Sequence, residues 1–248
     1  MRLCPSSVLP DAFGAVDPAA ASAAPISLSH SSRSGGYGMV LLNTAGALRR
    51  MNRLDPATAT YRQAIDVLLH AHGRGHPRTV AAWTELAVTR SLAKDLPGAR
   101  AALADGEREA EGKLAPSQQE RINLTAARAW ILWDHGQSAE AEPLFRELLA
   151  AQMAKDQGAG HRIADLQGGL GLTLLALKRY VEAEPMLKAN HDTWLALLGP
   201  QHEDVRKARG RMVKLYQAWG RPEAARAYLD APTSAAASGP TAASGAAK

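Results

Sequence analysis

Glu140-Ala141-Glu142-Pro143-Leu144-Phe145 and Glu182-Ala183-Glu184-Pro185-Met186-Leu187 are two copies of one phrase, and the interval between them decides the fold. Weaker copies stand at Pro56-Ala57-Thr58-Ala59-Thr60-Tyr61, Gly98-Ala99-Arg100-Ala101-Ala102-Leu103 and Glu223-Ala224-Ala225-Arg226-Ala227-Tyr228. Taking Ala57, Ala99, Ala141, Ala183 and Ala224 as anchors, the intervals are 42, 42, 42 and 41 residues. A period of this length marks a stacked array in which each unit buries its apolar face only against its neighbours. Such an array presents a long surface to a partner and has little need of a catalytic pocket.

Each period resolves into two helices. In the fourth, Leu170-Gly171-Leu172-Thr173-Leu174-Leu175-Ala176-Leu177 closes the first helix, Lys178-Arg179-Tyr180 makes a tight turn, and Glu182 to Trp194 forms the second. Leu86-Ala87, Leu170-Gly171 and Met212-Val213 share one slot, a large apolar residue followed by a smaller one. The large residue fills the space between the helices, and the small one lets the partner helix approach. Ser138 is placed to cap a helix N-terminus, and Glu140, Glu142, Glu182 and Glu184 suit its positive dipole end. Pro143 and Pro185 are expected near the first turn, where a missing N–H is least costly. The phrases Gly73-Arg74-Gly75-His76-Pro77 and Gly199-Pro200-Gln201-His202-Glu203 mark turns between hairpins, with His76 and His202 three periods apart.

Composition agrees with closely packed helices. Aromatic residues make up 5% of the 248, so small side chains carry much of the packing. Net charge is +5, which admits an acidic partner but does not by itself indicate nucleic acid. The single cysteine, Cys4, allows no internal disulfide and no multi-cysteine zinc site, so a reducing, cytoplasmic setting is expected. No apolar run approaches the roughly 18 residues of a membrane span, and the segment from Met1 lacks a secretory apolar core. Residues 1–36 and 231–248 are rich in Ala, Ser, Pro and Gly without periodicity and are expected to be disordered, leaving 37–230 as the array.

Candidate chemistry is sparse. His70, His72 and His76 are ligand types, but they straddle a helix end and a turn, and His76 is accounted for by its repeat position. Gly158-Ala159-Gly160 and Gly168-Gly169-Leu170-Gly171 lack the strand and the Lys-Ser/Thr of a phosphate cradle, and the second group falls inside a helix. Asp11-Ala12-Phe13-Gly14 is interrupted by Ala and has no catalytic-loop companion. No catalytic, cofactor or metal residues are therefore assigned. Lys207, Arg211 and Lys214 follow i, i+4, i+7 spacing on one helix face. They read either as the solvated cap of a terminal repeat or as a docking patch for an acidic partner.

The turn Gly199-Pro200-Gln201-His202, the pair Leu170-Gly171, the turn Lys178-Arg179-Tyr180 and the stretch Ala183-Glu184-Pro185-Met186 together resemble tetratricopeptide repeats of the 42-residue, kinesin-light-chain type. The resemblance covers about residues 39–230. It implies an all-α, right-handed superhelical solenoid of about five antiparallel hairpins, whose first helices line a concave groove for peptides or partner proteins. That family often carries an Asn-Asn pair that reads ligand backbone from the groove. Here the slots hold Thr84-Glu85, Ala126-Ala127, Gly168-Gly169 and Gly210-Arg211, and Asn43 alone remains in the first repeat. By the family's geometry Trp130 and Trp133 point to the groove beside Asp134, as binding anchors do. Alternatively, a small rotation turns both tryptophans into the core and Arg128 outward, which is the preferred orientation. The expected function is a non-catalytic scaffold for a protein or peptide partner. A basic solenoid binding nucleic acid, and the docking or sensor half of a kinase-type signalling system, are the alternatives.

Overall fold

The structure is a computed structural model that describes residues 35–155 and 160–229. The expected disordered leader and tail fall almost wholly outside these residues. Ten helices follow one another among the described residues: α1 Gly35–Arg50, α2 Leu54–His72, α3 Pro77–Leu92, α4 Leu96–Ala110, α5 Gln119–Asp134, α6 Ser138–Lys155, α7 His161–Ala176, α8 Tyr180–Leu198, α9 Glu203–Ala218 and α10 Pro222–Leu229. The array opens at Gly35, two residues before the expected start. The chain divides into two compact units, Met1–Leu148 and Leu149–Lys248.

Within each unit consecutive helices pair as antiparallel hairpins, α1 with α2 and α3 with α4 in the first, α7 with α8 and α9 with α10 in the second. The anchor alanines explain how closely the hairpins pack, for Ala57, Ala99, Ala141 and Ala183 are fully buried. In the last hairpin the buried residue is Ala225 rather than Ala224. This corrects the 41-residue interval: Ala225 lies 42 residues after Ala183, so the last repeat is full length and its buried face one residue further on.

The turns keep the same period. Asn52, Lys94, Gly136, Lys178 and Gly220 all have positive φ, between 58° and 79°, at successive 42-residue steps. After each, the next N–H donates to the carbonyl five residues back: Arg53 to Leu48, Asp95 to Arg90, Gln137 to Leu132, Arg179 to Leu174 and Arg221 to Tyr216. This is the Schellman ending, in which one left-handed residue lets the last free carbonyls find donors. The looser turns between hairpins repeat as well. Gly73 and Gly199 have φ of 74° and 75°. His76 and His202 cap the following helices, each Nδ1 accepting from a backbone N–H two residues on at 3.2 Å.

Two helix starts differ from expectation. Ser138 is the first residue of α6 and not its cap; the carbonyl of Gln137 accepts from Glu140 and Ala141, and the Gln137 amide donates to Glu140 at 2.8 Å. Pro143 and Pro185 are sixth in α6 and α8, within the second turn. Each therefore removes one intrahelical bond.

The core of the first unit centres on the fully buried Tyr61, Ile65, Leu68, Val80 and Leu86, and that of the second on Leu174, Leu187, Val205, Met212 and Leu215. The glycines in α7 are packing devices. A Cβ on Gly171 would stand 2.6 Å from Leu187 Cγ and 3.2 Å from its backbone nitrogen.

Candidate partner-binding site

The anchor-alanine slot of the repeat is constant along the chain, while the slot holding Glu85, Ala127, Gly169 and Arg211 changes character at every step. This slot lies on the first helices, α3, α5, α7 and α9.

In α3 the slot is engaged internally. Glu85 pairs with Arg49 of α1 at 2.8 Å, both side chains about a quarter exposed, and the Tyr61 hydroxyl lies 3.5 Å away. Burial raises the Glu85 carboxyl above its usual range, outweighing the pull of Arg49.

In α5 the helix keeps the register of the repeat, burying Leu124, Ala127, Ala129, Ile131 and Leu132 where α7 buries Leu166, Gly169, Gly171, Thr173 and Leu174, with one departure. Arg128 occupies the slot that buries Leu86 and Met212, yet it is exposed and pairs with Glu107 at 2.8 Å. Trp130 sets its edge against the fully buried Phe145, ring centres 5.1 Å apart, and against Trp133 at 5.8 Å. Both tryptophans are half-buried. Trp130 thus packs against Phe145 without the expected rotation: Arg128 faces outward, while Trp130 and Trp133 stay in the half-buried slots of Leu172 and Leu175. Asp134 pairs with Lys94 at 3.2 Å. Beside them is a cavity of about 230 Å³ with a floor of Leu103, Ile131 and Leu132 and a rim of Arg100, Glu140, Arg128 and Glu107. Its rim charges pair with one another, Arg100 meeting Glu140 at 3.4 Å.

In the second unit α7, α8 and α9 bring together a polar group only partly foreseen from sequence. Arg211 Nη1 donates to Asn190 Oδ1 at 3.0 Å, and the buried Asn190 donates to the carbonyl of Ala164 at 2.7 Å. Gly168 makes the room, since a Cβ there would stand 2.6 Å from Arg211 Nη1 and 2.9 Å from Asn190 Nδ2. Asp165 lies within reach of the charges of Arg211 and Asp204. Burial pushes its carboxyl up to about 7, against the lowering effect of Arg211. The signal for Asn190 was in the repeat, where a lone amide stands in the slot of Ala64, Gly106 and Leu148.

The basic stripe of α9 is divided in three dimensions. Lys207 is bound to Glu203 and Asp204 at 3.0 and 3.6 Å, Arg211 is half-buried against Asn190, and Lys214 is exposed. The histidines take structural places. His70 Nδ1 lies 2.7 Å from the carbonyl oxygen of Asp66, and His72 stacks on His76 with ring centres 4.1 Å apart.

These features define a helical-repeat protein whose first helices carry its variable chemistry. Residues 162–231 match the family model of the tetratricopeptide repeat, so the chain carries repeats of that kind. Its fold is similar to a chain from Podosopora anserina described as a kinesin light chain with nearly identical TPR-like repeats. That match has 18% identity and a TM-score of 0.66 and covers 79% of this chain and 92% of that one. BtubC (BKLC) from P. vanneervenii is similar at 16% identity and a TM-score of 0.68, over 79% and 78% of the two chains. The likeness to these two chains is one of fold. The chain is also 30% identical over 132 residues to the penicillin-binding protein activator LpoA of Pantoea ananatis (strain LMG 20103), a match covering 50% of this chain and 18% of that protein.

Proposed function

We propose that this chain is a non-catalytic docking scaffold that binds an extended segment of a partner protein along the first helices of its hairpins. The observation that carries this reading is the division of labour within the repeat. Second-helix anchor slots hold fully buried alanines, whereas first-helix slots hold Glu85, Trp130, Trp133, Asp165 and Arg211 in unlike surroundings. Packing alone explains the first set. A succession of different polar and aromatic groups on equivalent helices suits recognition of a particular segment.

Trp133 and Asp134, with the half-buried Trp130 beside them, are the proposed contact residues of the first unit, and Lys207, Arg211 and Lys214 those of the second. The pairing of Lys207 with Glu203 and Asp204 favours a partner of mixed charge over a strongly acidic one. Among the described residues no helix is long and apolar enough to cross a membrane. A cytoplasmic setting is supported by the single cysteine in 248 residues.

The test is capture on the immobilised full chain from host lysate, with and without nuclease, followed by titration of the purified protein retained. Retention that survives nuclease and weakens in Trp133→Ala and Arg211→Ala supports docking on the first helices. Retention abolished by nuclease, with binding that falls steeply with salt, would replace this reading by nucleic-acid binding.

A further inference from the structure

The second unit holds a polar seat that the helix packing does not use up, and its chemistry narrows what a docked segment must present. Arg211 is held in place from below. Asn190 accepts from Nη1 while its own amide is tied to the Ala164 carbonyl, and Gly168 leaves the notch into which the guanidinium fits. One guanidinium N–H is committed this way, and a guanidinium has five. Asp165 is half-buried on α7, next to Ala164 and one turn before Gly168, the position whose Cβ would stand 2.6 Å from Arg211 Nη1, yet no hydrogen bond or ion pair joins it to Arg211. A partly desolvated donor and acceptor therefore stand near each other without satisfying each other.

Such a site selects its occupant by charge. A free carboxylate would meet Arg211 but also Asp165 and Asp204; a cation would meet Asp165 but also Arg211. A neutral group carrying acceptor and donor on neighbouring atoms satisfies both without a net charge to desolvate. The seat is also solitary. Its repeat equivalents are Glu85, already paired with Arg49, and Ala127 and Gly169, which have no polar side chain. Reading a run of peptide backbone would need a row of such seats, so one seat fits one side chain.

Resting on the docking reading above, we propose that Asp165 and Arg211 seat the side-chain carboxamide of a single Asn or Gln in the partner segment. Arg211 donates to the amide oxygen, and Asp165 accepts from the amide N–H.

The test is a screen of the immobilised full chain against a library of short, acetylated and amidated peptides randomised at every position. The wild-type chain is expected to retain sequences enriched in Asn or Gln at one position. Arg211→Ala and Asp165→Ala are expected to lower that enrichment about tenfold, the effect of losing a hydrogen bond to a charged group. Gly168→Ala leaves both groups present and favours the helix, but fills the notch and displaces Arg211. It should lose the preference as well, and it covers the case in which Arg211→Ala does not fold. Enrichment in Asp or Glu instead, or an Asn/Gln preference unchanged in folded variants, overturns the seat while leaving the docking reading intact. Failure to retain any peptide counts against both.

Discussion

Glu85 in the first unit and Arg211 in the second occupy the same repeat slot, and the two units use it in opposite ways. Glu85 closes an ion pair with Arg49 at 2.8 Å. Arg211 leans on a neutral amide, with a nearby carboxylate it does not bond. The backbone and the Schellman turns are the same at both places, so the difference lies in what the neighbouring helices supply. Arg49 lies on α1, which packs beside α3, whereas the helix beside α9 presents Gly168. Charge at an equivalent slot becomes internal mortar where a complementary side chain faces it, and surface chemistry where a glycine does.

The comparison breaks most visibly at the ion pair. Glu85→Ala leaves Arg49 largely buried without its partner and is expected to cost about 2–3 kcal/mol, below the usual range for a buried pair because both side chains remain a quarter exposed. Arg211→Ala, whose partner is neutral, should cost about 1–2 kcal/mol. Urea unfolding of both variants measures the gap. The double variant Arg49→Met/Glu85→Leu should recover most of the loss in the first unit, and a double variant as unstable as the single one would show that the pair is not the cause.

The second contrast is sharpened by pH. The Asp165 carboxyl is raised to about 7 from an ordinary value of 3.8, so the folded protein holds a proton that the unfolded chain releases. The resulting stability is complete below about pH 4 and is lost as pH rises through 7; the full shift corresponds to about 4 kcal/mol, which partial solvent exposure reduces to on the order of 1–3 kcal/mol. Asp165→Asn imitates the protonated form. Its stability relative to wild type should be near zero at pH 4 and increasingly favourable up to pH 8. A flat difference across that range would show that Asp165 is better solvated than its place on α7 implies.

These contrasts also mark what could be read from the chain before its structure. The 42-residue period, the paired helices, the tight turn at Lys178 and the shared position of His76 and His202 all follow from local signals that recur, and recurrence makes a weak signal strong. The Ala224 register failed for the same reason in reverse: two adjacent alanines look alike in sequence, and only burial distinguishes Ala225. The polar group in the second unit was half legible. Arg211 stood out as part of a basic stripe on its own helix, but Asp165 and Asn190 belong to other helices, and nothing in one helix announces which residue of the next will face it. Glycine inside a helix is unfavourable when propensity counts the helix alone; the value of Gly168 and Gly171 lies in the close approach of Arg211, Asn190 and Leu187.

A subtler contrast concerns the shared turn. Lys94 in the first unit and Lys178 in the second hold φ of 65° and 61°, where Gly136 and Gly220 do the same work without a side chain. Lys178→Gly should stabilise by up to about 1 kcal/mol, since it relieves the Cβ in the left-handed region although glycine loses more backbone freedom on folding. Lys94→Gly should gain less, because it also removes the contact with Asp134 at 3.2 Å. Thermal unfolding of the two variants tests that order, and equal gains would mean the Lys94–Asp134 pair adds nothing.

The smallest expected effect separates exposed charge from engaged charge. Lys207 reaches Glu203 and Asp204 from the turn above it, and reversing its sign places three acidic groups together at the start of α9. The helix dipole welcomes negative charge there and offsets part of the repulsion. Lys207→Glu should therefore lower Tm by only about 1–2 °C at low salt, with the difference vanishing as salt screens it. Lys214→Glu, exposed and further along the helix, should leave Tm unchanged. If partner binding nonetheless falls in Lys214→Glu, the loss cannot be assigned to stability, and the end of α9 becomes part of the docking surface on its own evidence.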